Sequence, residues 1–82
     1  MLIQQLRSNH RKTSVILHIE ELLDEQDRQS IESKVQQVEG VIHVHFNETQ
    51  HQLMIVGYDP NRTNSTRILN RVLRQHLHAQ LI

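Results

Sequence analysis

The chain has no cysteine and no tryptophan, and only one phenylalanine, one tyrosine, one proline and two glycines in 82 residues. Without cysteine it forms no disulfide, holds no metal through thiolate and has no thiol nucleophile. So few aromatics force an aliphatic core and exclude recognition of RNA by stacking bases on exposed rings. Nine basic residues balance nine acidic ones, so no overall field draws the chain to nucleic acid or anionic lipid. No apolar run approaches the ~20 residues of a membrane helix, and the start lacks the long apolar region of a secretion signal. The composition reads as one soluble, untargeted domain compatible with a reducing cytosol. Its core is small, since a chain of this length buries only about 60–65% of its unfolded surface.

What is present centres on Ile19–Asp27, where Glu20, Glu21, Asp24, Glu25 and Asp27 put five carboxylates into nine residues. Ser14–Ile19 before it alternates and is rich in Val, Ile and Leu, which predicts a strand. Ile31, Val35 and Val38 after it recur at helical spacing, so the acidic run is a strand-to-helix loop and a first helical turn. Asp24 or Asp27 opens this helix, which is expected to run to about Val38 with Gly40 as its left-handed C-cap. Basic residues lie elsewhere: Arg67, Arg71 and Arg74 form an i, i+4, i+7 stripe, and Arg7, Arg11 and Lys12 sit near the start.

Residues 1–13 carry Leu2, Ile3 and Leu6 without a cap or a stop and read as a mobile arm ahead of a domain at 14–82. Val41–Phe46 and Gln52–Val56 are expected strands joined by a polar hairpin, and Gly57–Asn61 is expected to break the pattern. Ile68, Leu69, Val72 and Leu73 predict a second helix, capped by Asn64, Ser65 or Thr66 and ending near Arg74–Gln75, with Leu77–Ile82 as the last strand. The fold class is α+β. The order βαββαβ gives a ferredoxin-like sandwich: a four-stranded antiparallel sheet with two helices on one face.

These residues resemble the heavy-metal-associated (HMA) domain of copper chaperones and of the N-termini of metal-transporting P-type ATPases. In that family a Val-Glu-like strand end precedes Gly-Met-Thr-Cys-x-x-Cys, a helical span ending in Gly-Val, two strands and Tyr-Asp-Pro. Here Ile19-Glu20 precedes Glu21-Leu22-Leu23-Asp24-Glu25-Gln26-Asp27, then Arg28 to Gly40-Val41, then Tyr58-Asp59-Pro60, without a gap. The resemblance implies the fold over positions 14 to 82. It implies no thiol-based copper transfer, because Asp24 and Asp27 stand where the family has its two cysteines, and copper(I) prefers soft sulfur donors.

Carboxylates suit harder or borderline ions: Zn²⁺, Mn²⁺, Fe²⁺, Co²⁺ or Ni²⁺. Asp24 and Asp27, three apart on a first helical turn, can face one point, and Glu21 joins them in the candidate set. In a βαββαβ fold the first loop, the hairpin and the entry to the last strand share one end, which brings His51 and His76 near. His76 is the preferred ligand on the expectation that the hairpin lies two strands away. The competing reading is that these acids only cap a helix, accepting its free N–H groups and opposing its dipole.

Alternation places Leu17, Ile19, Val44, Phe46, Met54, Val56, Leu77 and Ala79 against the helices. The other face then carries His18, His43, His45 and His78 among Ile16, Leu53, Ile55 and Ile82, an apolar surface that a partner, a second copy or the arm would cover. His43 and His45, at i and i+2, can also chelate a metal across one strand face.

No glycine-rich phosphate loop, HExxH motif or supported Ser-His-Asp arrangement occurs, so the chain reads as a non-enzyme. Amino-acid-binding regulatory domains share the topology but generally have a glycine-containing first loop, absent here, which leaves them a minor alternative. Two functions lead. One is an accessory or regulatory module in divalent metal handling, whose partner is a metal transporter. The other is a metal-free interaction module that pairs with another protein or a second copy through the open face. Both imply a cytoplasmic setting, free-standing or as the terminus of a membrane transporter, with no nucleic acid and no direct membrane insertion.

Overall fold

The computed structural model describes residues 12–82, so the proposed arm lies, except for Lys12 and Thr13, outside the described residues. The elements run β1 (Thr13–Ile19), α1 (Glu25–Gln36), β2 (Val41–Phe46), β3 (Leu53–Tyr58), α2 (Ser65–Leu73) and β4 (Ala79–Leu81). The four strands form one sheet in the order β2-β3-β1-β4, with every neighbouring pair antiparallel. This is the expected ferredoxin-like βαββαβ arrangement.

Local chemistry sets the element ends. Asp24 has extended backbone and its Oδ1 accepts a hydrogen bond from Asp27 N–H at 2.8 Å, so it is the N-cap of α1. Asn64 does the same for α2, accepting from Arg67 N–H at 2.9 Å. α1 stops at Gln36, earlier than its apolar spacing suggests. Val38 is half-buried and belongs to a turn closed by Val41 N–H on Val38 O at 3.1 Å. Gly40, with φ of 96°, supplies the left-handed residue of that turn and is not the helix C-cap.

The core is aliphatic, as the composition requires. Leu17 and Ile19 of β1, Met54 and Val56 of β3, Val35 of α1, and Ile68 and Val72 of α2 are completely buried, with Ile31 and Phe46 nearly so. Val44, Leu77 and Ala79 pack at its margin, half-buried.

β3 does not stop at Val56. It continues through Gly57 and Tyr58, which pair with β1 and β2, because the ring of His43 lies over Gly57 where a side chain would stand. β4 begins two residues later than alternation indicates. The chain first turns through His76, a non-glycine residue at φ 65°, before Ala79 can pair with Ile19.

The β2 edge is blunted by α1. Glu32 accepts Phe46 N–H at 3.0 Å and Gln36 donates to Ile42 O at 3.1 Å, which occupies outward-facing ladder groups and disfavours edge-to-edge pairing.

Candidate functional site

The β1–α1 loop, the β2–β3 hairpin and the turn into β4 meet at one end of the sheet, as register requires: His18 pairs with Leu53 and Ile19 with Ala79. The hairpin is next to the loop, not two strands away, because β3 is the direct neighbour of β1. Gln52 makes the join. Its carbonyl accepts Ile19 N–H at 2.8 Å, and its side-chain amide donates to Ile19 O at 3.1 Å and Glu20 O at 2.9 Å.

The acidic residues are engaged unequally. Asp24 spends one oxygen on the cap, and Asp27 supplies the capped N–H; both side chains are exposed. Glu21 turns the other way. Its two oxygens accept the backbone N–H of His78 at 3.0 and 3.1 Å, and Oε2 lies 2.7 Å from His78 Nδ1. Glu20 N–H donates to His78 O at 2.8 Å, so consecutive residues of the loop hold both sides of the residue that leads into β4.

The Glu21 carboxylate raises the His78 pKa above the ordinary imidazole value, first through their hydrogen bond and then through charge, with Glu20 adding to it. The same contact, followed by the backbone N–H of His78, holds Glu21 below the ordinary carboxylate range. His76 is exposed, and its N–H donates to Leu73 O at 3.1 Å as part of the turn that ends α2. His51 turns onto its own hairpin, with Nε2 2.8 Å from Glu48 O. Among the described residues no three His, Asp or Glu side chains gather to hold a metal ion.

His78 is the residue that sequence reasoning placed differently. Alternation assigned it to the open sheet face, whereas it precedes β4 and faces Glu21. A signal was available in the topology, since any histidine between α2 and β4 lies at the end that holds Glu20 and Glu21.

The open face is built from Ser14, Ile16 and His18 of β1, His43 and His45 of β2, Leu53, Ile55 and Gly57 of β3, and Gln80 of β4 with Ile82 beyond it. Among the described residues these positions include no Asp, Glu, Lys or Arg. Ile16 is 39% exposed and Ile82 72%, while Leu53 and Ile55 are half-buried by their neighbours.

The basic stripe serves structure in part. Arg71 donates from Nε to Lys34 O at 3.1 Å and from Nη2 to Gln37 Oε1 at 3.2 Å, bonding carbonyl groups at the end of α1. Arg67, Asn70, Arg71 and Arg74 line an open groove of about 470 Å³ with Gln37 and Val38. No described helix is long and apolar enough to cross a membrane.

No protein-family model and no curated protein sequence matches the chain. Solved structures do. The N-terminal domain of a potential copper-translocating P-type ATPase from Bacillus subtilis, in its Cu(I)-loaded state, superposes with a TM-score of 0.77 at 18% identity, over 87% of this chain and 88% of that one. Oxidized MerP from Ralstonia metallidurans gives 0.76 at 14% identity over 87% and 97%. The N-terminal domain of PacS from Synechocystis gives 0.71 at 21% identity over 85% and 97%. At these identities the likeness establishes the fold.

Proposed function

We propose that this chain is a divergent domain of the heavy-metal-associated type that works as an accessory interaction module in metal handling, without passing copper from its first loop. The observation that carries this reading is the closure of that loop by its own bonds. Glu21 is bound to His78 and Asp24 to the Asp27 amide, and neither aspartate offers the soft sulfur that copper(I) prefers. The likeness to a copper-translocating ATPase domain supports a metal-handling setting. The role is non-catalytic and cytoplasmic, and the domain begins no later than Thr13, which already pairs with Tyr58 in the sheet. The docking surface is the uncharged open sheet face, taken by a domain of a metal transporter or by a second copy, since the β2 edge is already blunted.

A second reading keeps a divalent ion, Zn²⁺, Mn²⁺, Fe²⁺, Co²⁺ or Ni²⁺, on Asp24, Asp27, Glu21 and His76. The number of carboxylates at this end favours it, because helix capping accounts for Asp24 and not for all five. Such an ion has to compete with the Asp24 cap and the Glu21–His78 contact.

Titration with Zn²⁺, Mn²⁺, Co²⁺ and Ni²⁺ while following backbone amide shifts separates the two. The interaction-module reading expects the amides of Glu21–Asp27 and His76 to stay in place below millimolar metal. A joint, saturable shift of those amides in the micromolar range would overturn it in favour of the second.

A further inference from the structure

We propose that His43 and His45 form a two-imidazole site for a borderline divalent cation of the Zn²⁺, Ni²⁺ or Cu²⁺ class, on the open sheet face and apart from the acidic loop. The two residues sit at i and i+2 of β2, so both rings leave the same face, and both are exposed. Their ring centroids are 5.9 Å apart with the planes inclined at 32°. Two imidazoles on one tetrahedral zinc, with Zn–N of about 2.0–2.1 Å, have centroids about 5.2 Å apart, and opening the N–Zn–N angle to about 130° gives about 5.9 Å. The observed spacing lies within the range that two imidazoles on one ion span.

Gly57 helps to set the geometry. It faces His43 across the β2–β3 pair, and a Cβ there would collide with Nε2 and lie 2.8 Å from Cδ2 and Cε1. The ring occupies space that only glycine leaves, so Gly57 permits the orientation in which His43 stands beside His45. Among the described residues the strand positions of the face carry no carboxylate, and Glu48 of the adjoining hairpin lines an open cavity beside His45, so the two donors of the site itself are nitrogen. That favours zinc, nickel and copper(II) over manganese or magnesium, which prefer oxygen. Water fills the remaining positions.

Calorimetric titration of the full chain with Zn²⁺, Ni²⁺ and Mn²⁺, with imidazole resonances followed in parallel, tests the site. His43→Gln and His45→Gln are each expected to weaken Zn²⁺ and Ni²⁺ binding at least tenfold. Gly57→Ala, which displaces the His43 ring, should weaken it measurably in a protein whose amide spectrum shows the fold intact. His18→Gln and His51→Gln should leave it unchanged. Affinity within twofold of the parent in both His43→Gln and His45→Gln, or Mn²⁺ binding as tightly as Zn²⁺, would overturn the assignment. Shifts at the Glu21–Asp27 amides bear on the proposed function instead, so failure of either can be told from failure of the other.

Discussion

Glu21 holds His78 twice: its carboxylate accepts the backbone N–H of His78 at 3.0 Å and contacts Nδ1 of the same residue at 2.7 Å. The contact ties the loop after β1 to the turn before β4 and uses a carboxylate that the sequence offered as a metal ligand. It also couples the closure of this end of the sheet to pH.

The sign of that coupling follows from the two shifts. His78 is raised above 6.5 by Glu21, so its contribution is full below 6.5 and is lost as pH rises through the raised value. Glu21 is lowered below 4.5 by His78, so its contribution is full above 4.5 and is lost as pH falls through the lowered value. The clasp should be strongest between about pH 4.5 and 6.5. Both groups are exposed, so the effect on global stability is small and the direct readout is local. Titrating the His78 ring protons in the parent and in Glu21→Gln should show the histidine pKa fall in the variant. An unchanged value would remove the clasp.

Asp24 is expected to contribute as a cap. Asp24→Ala should destabilise the domain by about 1 kcal/mol, within the range of about 0.5–2 for lost N-caps, while Asp24→Asn retains most of the bond. Urea unfolding of the two variants checks the difference. Equal stability of alanine and asparagine would show that the 2.8 Å contact to Asp27 N–H contributes nothing.

The βαββαβ order was legible because Val, Ile and Leu change period cleanly, from two in Ser14–Ile19 to helical spacing from Ile31 onward. Val41–Phe46 was legible for similar reasons, whereas the α2 cap was narrowed only to Asn64, Ser65 or Thr66, and the structure assigns it to Asn64. Gly57 was not, because a glycine followed by Tyr58-Asp59-Pro60 looks like a break until the His43 ring above it is seen. The partner of Glu21 was hidden because β4 is only three residues long. A strand that short has no alternation to fix its start, so His78 was placed on the open face. Gly40 illustrates the same limit: its positive φ was foreseeable, but not which turn would use it.

Thr63 is 5% exposed, and among the described residues its buried Oγ1 has no hydrogen-bond partner. Removing an unsatisfied buried hydroxyl while keeping the shape costs nothing in hydrogen bonding. Thr63→Val is therefore expected to be neutral or to stabilise by up to about 1 kcal/mol. A loss of stability in thermal unfolding would mean that the hydroxyl has a partner in solution.

Leu53 lies on the open face opposite His18 and outside the helix-covered core. Leu53→Lys should leave the circular dichroism spectrum and the unfolding midpoint close to those of the parent, and abolish association through the sheet, whether with a second copy or a transporter domain. Sedimentation at about 100 μM reads self-association, since a micromolar dimer would be well populated there. Unfolding of the variant would place Leu53 in the core, and association unchanged by the lysine would move the docking surface elsewhere.

The most direct measurement is the Zn²⁺ and Mn²⁺ affinity of the double variant Asp24→Asn, Asp27→Asn beside that of the parent. Asparagine at position 24 keeps the cap, and the exchange of both removes the charge that would hold a divalent ion. If the loop closes on itself and docking is the function, both affinities stay within twofold of the parent and the fold is unchanged. A tenfold or greater loss of Zn²⁺ or Mn²⁺ binding in a folded double variant would contradict that reading and make the loop a metal site.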